Sequence, residues 1–195
     1  AAGPNFAYDM SLHATGPRVF HGADGYSMKS ADGRASYYFS QPFFKIRGNL
    51  QLPAGDVFVS GDAWLDREWS SAPLGLDQTG WDWFSLSFDD GSKLMGFLLR
   101  GARVFTQATL IYANGTTVTY PDGAFSAEPI TQSQVAGRDV PTTWQVMLPD
   151  AGINVAVMAL NTQSWMDTTI PYWEGPVYVT GSHTGRGYLE MTGYQ

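Results

Sequence analysis

Apolar and polar positions alternate with a period of two through most of this 195-residue chain, and clusters of Gly, Pro, Asn and Asp interrupt the alternation. Successive side chains on a strand point to opposite faces, so such runs predict β-strands with one apolar face. The first run covers 5–12 (NFAYDMSL) and ends before Gly16-Pro17. A short extended piece at 19–21 leads into a glycine-containing loop over 22–33. An aromatic strand at 36–39 stops at Gln41-Pro42. The run 43–52 (FFKIRGNLQL) then places Phe44, Ile46, Gly48, Leu50 and Leu52 on one face. Pro53-Ala54-Gly55 turns the chain into 57–60. Further strands are expected at 94–100, 105–113, 116–120, 125–130, 144–148, 153–160, 172–180 and 186–194. Asn114-Gly115 between two alternating runs predicts a type I′ hairpin, which needs positive φ at both central residues. Helical periodicity is nearly absent, apart from a weak helix or turn signal at 163–167. The pattern predicts an all-β antiparallel barrel or sandwich.

The stretch 61–91 (GDAWLDREWSSAPLGLDQTGWDWFSLSFDDG) is the densest in chemistry, with four of the seven tryptophans and seven acidic residues. It reads as strand, loop over 70–80, and strand. In the first strand Trp64, Asp66 and Glu68 share one face, and Leu65, Arg67 and Trp69 share the other. In the second, Asp82 falls on the face of Phe84, Leu86 and Phe88, while Trp81, Trp83, Ser85 and Ser87 point away. A carboxylate on an apolar face is costly to bury unless it is paired or protonated. Asp82 is therefore expected to be buried and bonded to Arg67 or to an indole N–H. The same Asp-Arg-Glu cluster also fits a purely structural ion-pair network.

Composition narrows the function classes. Hydrophobic residues make up 44% and aromatics 14%, enough for a substantial core. The formal charge of −7, without any basic run, argues against nucleic acid or an anionic membrane surface as partner. There are no cysteines, hence no disulfide framework or thiolate metal site. No apolar run approaches a membrane-spanning length. His13, His21 and His183 are scattered, so no metal site is expected. Ser70-Ser71 lacks a nucleophile elbow, and 22–33 lacks the strand-to-helix setting of a phosphate-binding loop. Tyr172-Trp173-Glu174-Gly175 sets aromatics and an acid at a strand start, a pattern that a rim aromatic pair with a surface Glu also explains.

Several motifs together resemble the AttH/CrtC family of lipocalin-like proteins. They are Gly61-Asp62-Ala63-Trp64-Leu65-Asp66-Arg67-Glu68-Trp69-Ser70, Gly80-Trp81-Asp82-Trp83-Phe84 with Asp89-Asp90-Gly91, Tyr172-Trp173-Glu174-Gly175, and the ending over 185–194. His21-Gly22, Gly25-Tyr26-Ser27 and Ser36-Tyr37-Tyr38 look similar too. The resemblance implies two lipocalin-like barrels in tandem, of which this chain would cover the C-terminal half to two-thirds. Residues 1–53 would be the last strands of a first, incomplete barrel, and 54–195 the whole second barrel. A family whose members include carotenoid 1,2-hydratases (hydroxyneurosporene synthases), an isoflavonoid hydratase type and Diels–Alder cyclases implies a hydrophobic ligand, isoprenoid- or polyketide-like, in an aromatic-lined cavity. The chain departs from the carotenoid hydratases by carrying Arg67-Glu68 where they tend to have a His-Asn type pair.

On this resemblance Asp82 or Asp66 would donate the proton in a hydration or cyclisation, a carbon–oxygen lyase or cyclase working without a cofactor. Arg67 would tune that acid. Trp64, Trp69, Trp81 and Trp83 would shape the pocket and stabilise cationic character. Tyr172, Trp173, Glu174 and Tyr188 would complete the ligand site. The alternative is a non-catalytic carrier or an accessory of an export system, and an exported or periplasmic setting is expected. The strands before residue 53 have apolar faces and too few members to close a barrel. A missing N-terminal half, or a second copy of the chain, is therefore expected to cover them.

Overall fold

A computed structural model describes residues 1–71, 75 and 77–194. The chain is all-β and forms two curled antiparallel sheets. The six-stranded sheet holds β1 (Ala2–Gly3), β2 (Phe6–Ala14), β3 (Val19–Phe20), β4 (Tyr26–Met28), β5 (Ala35–Leu52) and β6 (Gly55–Trp69). The ten-stranded sheet holds β7 (Gln78–Phe88), β8 (Lys93–Gly101), β9 (Phe105–Ile111), β10 (Thr117–Tyr120), β11 (Ser126–Val135), β12 (Arg138–Leu148), β13 (Ile153–Ala159), β14 (Trp165–Met166), β15 (Tyr172–Gly181) and β16 (Gly185–Thr192). The second sheet runs β10-β9-β8-β7-β16-β15-β13-β12-β11 and curls around one core, a lipocalin-like barrel. The first sheet is curled and open.

Period two sets the core. Phe84, Leu86 and Phe88 alternate along β7 and pack inward with Phe125, Trp144, Val155 and Leu189. Phe84 meets Phe125 and Trp144 edge to face, with centroids 6.1 and 5.6 Å apart. Such pairs add to simple area burial.

The strand breaks read from the sequence need four corrections. The expected pieces 36–39 and 43–52 are one strand, β5, running through Pro42. Pro42 is accommodated by a bulge: Gln41 pairs with Leu65, and the next partners are Phe44 and Ala63. The Gln41 side chain accepts the Phe43 N–H at 3.1 Å. The second correction concerns the break between the sheets. It falls between Trp69 and Gln78, not at residue 53, because β6 pairs with β5 over nearly its whole length. The loop expected over 70–80 lies partly outside the described residues.

Third, the β9–β10 hairpin exists, but its turn is not type I′. Gly115 alone has positive φ (85°), and Asn114 instead accepts the Thr116 N–H at 3.0 Å through Oδ1. That side-chain bond fits a longer loop, closed by Tyr112 N–H to Thr116 O at 2.8 Å. Fourth, the helix or turn signal at 163–167 meets a turn at Thr162-Gln163 and then a strand, β14, which pairs Trp165 with Trp173 and Met166 with Tyr172.

Trp144 generates a test of the core. It is 2% exposed, and its indole N–H is buried without a hydrogen-bond partner. Trp144→Ala should cost about 3–5 kcal/mol in denaturant unfolding through cavity formation. Trp144→Phe removes the unsatisfied N–H with part of the volume, and should cost less than half as much.

Candidate functional site

The two sheets face one another across a cleft of about 1550 Å³. One wall comes from β5 and β6, through Ser36, Tyr38, Trp64, Asp66 and Glu68. The other comes from the outer side of β7, β8, β15 and β16, through Trp81, Trp83, Phe97, Leu99, Tyr172, Glu174, Tyr188 and Glu190. Strand register explains both walls. On β5 and β6, Tyr38 pairs with Glu68 and Ser40 with Asp66. On β7 and β16, Trp83 pairs with Glu190 and Ser85 with Tyr188. The Pro42 bulge also acts here. It lets Lys45 line the cleft although Tyr38 and Ser40, an odd number of positions earlier, face the same way.

Asp66 sits in the cleft between the sheets, held by two hydroxyl donors. Tyr38 O–H donates to its Oδ1 at 2.8 Å, and Ser40 O–H donates to the same oxygen. Burial nevertheless pushes Asp66 above the usual aspartate range, and nearby Glu68 adds to the rise; the Ser40, Tyr38 and Trp64 side chains oppose it. The Trp64 N–H lies beside Asp66 but makes no hydrogen bond of regular geometry. Glu190 and Glu174 are also raised by burial, while Trp81 N–H donates to Glu190 Oε1 at 2.7 Å. The cleft thus holds carboxyls that retain protons to higher pH than exposed ones.

Four residues of the site carried no signal in the alternation pattern. Lys29, 8% exposed, pairs with Glu68 at 2.8 Å and lies 4.0 Å from the Phe97 ring centroid. Burial lowers its pKa, and Glu68 opposes that fall. His21 is fully buried, with Nε2 2.7 Å from Ser40 Oγ and Nδ1 3.0 Å from Thr109 Oγ1. Burial, and then Lys29, hold its pKa down to about 3, so the ring is neutral. The Tyr38 hydroxyl oxygen accepts the Trp83 N–H at 2.9 Å. Lys29 and His21 lie outside the long alternating runs, where periodicity says nothing. Tyr38 falls in the strand expected over 36–39 and in the Ser36-Tyr37-Tyr38 motif, with no site role attached, and Ser40 lies just past that strand.

Of the expected ligand residues, Trp64, Trp81, Trp83, Tyr172, Glu174 and Tyr188 line the cleft. Trp69 reaches its rim but is 53% exposed and stacks on Tyr37 with centroids 5.9 Å apart. Trp173 does not face the cleft. It alternates with Tyr172 and Glu174, so it points into the barrel core, where its N–H donates to Thr162 O at 2.7 Å. Arg67 lies exposed on the opposite face of β6 from Asp66 and does not pair with Asp82.

Asp82 is buried as expected, at 1% exposure, but its partners are others. Arg100 Nε donates to Oδ2 at 2.9 Å and Tyr194 O–H to Oδ1 at 3.0 Å. Lying between Trp81 and Trp83, it faces away from the cleft, so Asp66 and Asp82 occupy two separate places. Burial raises Asp82 to about 6 even though Arg100 opposes the shift. Arg100 is a quarter exposed on its side chain, so solvent weakens its hold. Among the described residues, no group of three or more His, Asp or Glu is placed to hold a metal ion, and no helix is long and apolar enough to cross a membrane.

A family model described as AttH-like matches residues 1–194. The crystal structure of an AttH protein from Nitrosomonas europaea superposes with a TM-score of 0.93 at 33% identity, covering 100% of this chain and 64% of that one. Kievitone hydratase from Nectria haematococca superposes with a TM-score of 0.80 at 20% identity, covering 98% of this chain and 63% of that one. The chain thus spans somewhat less than two-thirds of either neighbour. Comparison with curated proteins gave no match.

The Asp82 pKa implies a pH dependence. Between its ordinary value of 3.8 and about 6, the folded chain holds a proton that the unfolded chain has released. Stability should therefore fall as pH rises through that window, by roughly 3 kcal/mol from this group. Asp82→Asn should remove that component, so the stability difference between wild type and variant should change across the window and stay level above it. Urea unfolding at several pH values measures it, and a pH-independent difference would contradict the assignment.

Proposed function

The chain belongs to the AttH-like family, and from that premise we propose that its inter-sheet cleft binds a hydrophobic small molecule, isoprenoid- or polyketide-like, with Asp66 as proton donor in a hydration or cyclisation. The observation that carries this reading is a partly buried carboxyl of raised pKa set among Trp64, Trp83 and Tyr38 in a large cavity. Protonated Asp66 would deliver its proton to one carbon of an alkene, leaving a carbocation at the other. The indole faces of Trp64, Trp81 and Trp83 favour such positive charge. Water would then add through oxygen and lose its extra proton to the Asp66 carboxylate, which restores the acid. If a second double bond of the ligand captures the cation first, the product is cyclic. The hydratase from Nectria haematococca supports this reading at the level of fold, and the chemistry rests on Asp66.

The carrier reading keeps the same cleft without turnover. Incubation with linear isoprenoids and prenylated phenolics, followed by mass spectrometry, separates the two. Hydration adds one water to the ligand mass. Asp66→Asn should lower turnover by roughly 100-fold or more while ligand quenching of tryptophan fluorescence persists. Because the acid form is the active one, turnover should decline as pH rises through the raised Asp66 pKa. Ligand binding without product at any pH would favour the carrier.

The outer face of the six-stranded sheet supports the expected protein partner. Phe20, Tyr37, Leu65 and Trp69 are each about half exposed there, and Phe39 and Trp69 lie edge to face at 6.3 Å. Contiguous exposed aromatics of this kind mark interaction surfaces. If a second copy covers them, light scattering should show a dimer and Tyr37→Glu with Trp69→Glu should return it to a monomer. A wild-type monomer at high concentration would leave a separate N-terminal half as the partner.

A further inference from the structure

The cleft chemistry described above leaves the buried His21 without a role. We propose that His21 is a positioning residue for Asp66, acting through Ser40 to saturate Oδ1 and leave Oδ2 as the oxygen that carries the transferable proton. Its functional meaning rests on Asp66 as proton donor, but the arrangement itself is testable without any ligand.

Two hydrogen-bond chains start on the ten-stranded sheet, cross to the six-stranded sheet, and end on the same atom. In one, the Trp83 N–H donates to the Tyr38 hydroxyl oxygen, and Tyr38 O–H donates to Asp66 Oδ1 at 2.8 Å. In the other, Ser40 O–H donates to Asp66 Oδ1. A serine hydroxyl has one proton to give, so Ser40 can only accept from His21. The nitrogen 2.7 Å from Ser40 Oγ, Nε2, must then bear the imidazole proton. A neutral ring has a single N–H, so Nδ1 must accept, and its partner at 3.0 Å is the Thr109 hydroxyl. The whole chain Thr109, His21, Ser40, Asp66 therefore points one way, and the tautomer is fixed by the ends.

The setting favours this direction. His21, Ser40 and Thr109 are each 0% exposed, so no water competes for these bonds. The charged and titratable groups that act on Asp66 and His21 are Lys29, Glu68, Tyr38 and Glu190. Burial, and after it the charge of Lys29, keep the His21 ring from gaining a second proton. Burial and the neighbouring carboxylates hold Tyr38 in its phenol form, so it always has a proton to donate. With two donors fixed on Oδ1, protonation of Asp66 at Oδ2 disturbs neither chain. The opposite arrangement, with the proton on Oδ1, would reverse Ser40 and swap the imidazole tautomer. It would also aim Tyr38 at a hydroxyl rather than a carboxylate oxygen.

The test is 15N NMR of the full chain labelled at histidine, with 13C labelling of aspartate in parallel. His21 should remain the neutral Nε2–H tautomer from about pH 4 to about pH 8, unchanged while Asp66 titrates. A Nδ1–H tautomer, a swap during the Asp66 titration, or an imidazolium signal near neutral pH would overturn the proposal. His21→Leu removes the donor to Ser40 and should raise the Asp66 midpoint by about half a pH unit to one. His21→Gln offers an amide N–H in the place of Nε2 and should return most of that shift, which a purely structural role would not do. An Asp66 midpoint equal in wild type and His21→Leu would also overturn it. Should His21→Leu fail to fold, Ser40→Ala decides: it should raise the Asp66 midpoint and leave His21 a mixture of tautomers. If no ligand is turned over yet these shifts appear, the proposed reaction fails and the role of His21 stands.

Discussion

The structure depends on how one carboxyl is kept between two sheets. Asp66 sits on β6, but the groups that hold it are anchored on both sides of the cleft. Tyr38 and Ser40 come from β5, while Trp83 and Thr109 support them from β7 and β9. Even a partly buried carboxyl is costly to place there without such donors. With them it is tolerated, and burial still holds its pKa up. The same bonds tie the six-stranded sheet to the barrel, so the sheet interface and the candidate site are one construction.

Alternation determines what reaches that interface. On β7 it sends Trp81 and Trp83 to the cleft and Phe84, Leu86 and Phe88 to the barrel core. Asp82 follows the second set and ends among Arg100 and Tyr194. The two aspartates thus lie on opposite sides of the ten-stranded sheet. One faces a large cavity, and the other holds the C-terminal residues against the barrel. The bulge at Pro42 extends the arrangement by resetting the alternation of β5, so that Lys45 turns toward the cleft while Phe44 and Ile46 do not.

Much of this was legible in the sequence. The all-β class, the strand runs and the facing of Trp64, Asp66, Trp81 and Trp83 follow from period two alone. The same rule could have set Trp173 apart from Tyr172 and Glu174, its neighbours on one strand. What the pattern could not show lies where periodicity ends or where partners are distant in sequence. Pro42 looked like a strand end because proline lacks a donor, yet a bulge and the Gln41 side chain accommodate it. Arg67 looked like the natural partner of Asp82 by proximity, yet Arg100 meets it across the β7–β8 pairing. Lys29 lies in the loop over 22–33, and His21, though part of a short extended piece and of the His21-Gly22 motif, carries no sign of its role. They matter only because the fold brings Ser40, Thr109 and Glu68 to them.

The most direct measurement is a crystal structure of the chain with a prenylated phenolic or linear isoprenoid bound. The ligand is expected between the sheets, with an alkene carbon about 3–3.5 Å from Asp66 Oδ2. A ligand seated inside the ten-stranded barrel beside Asp82, or one in the cleft with no unsaturated carbon in reach of Asp66, would contradict it.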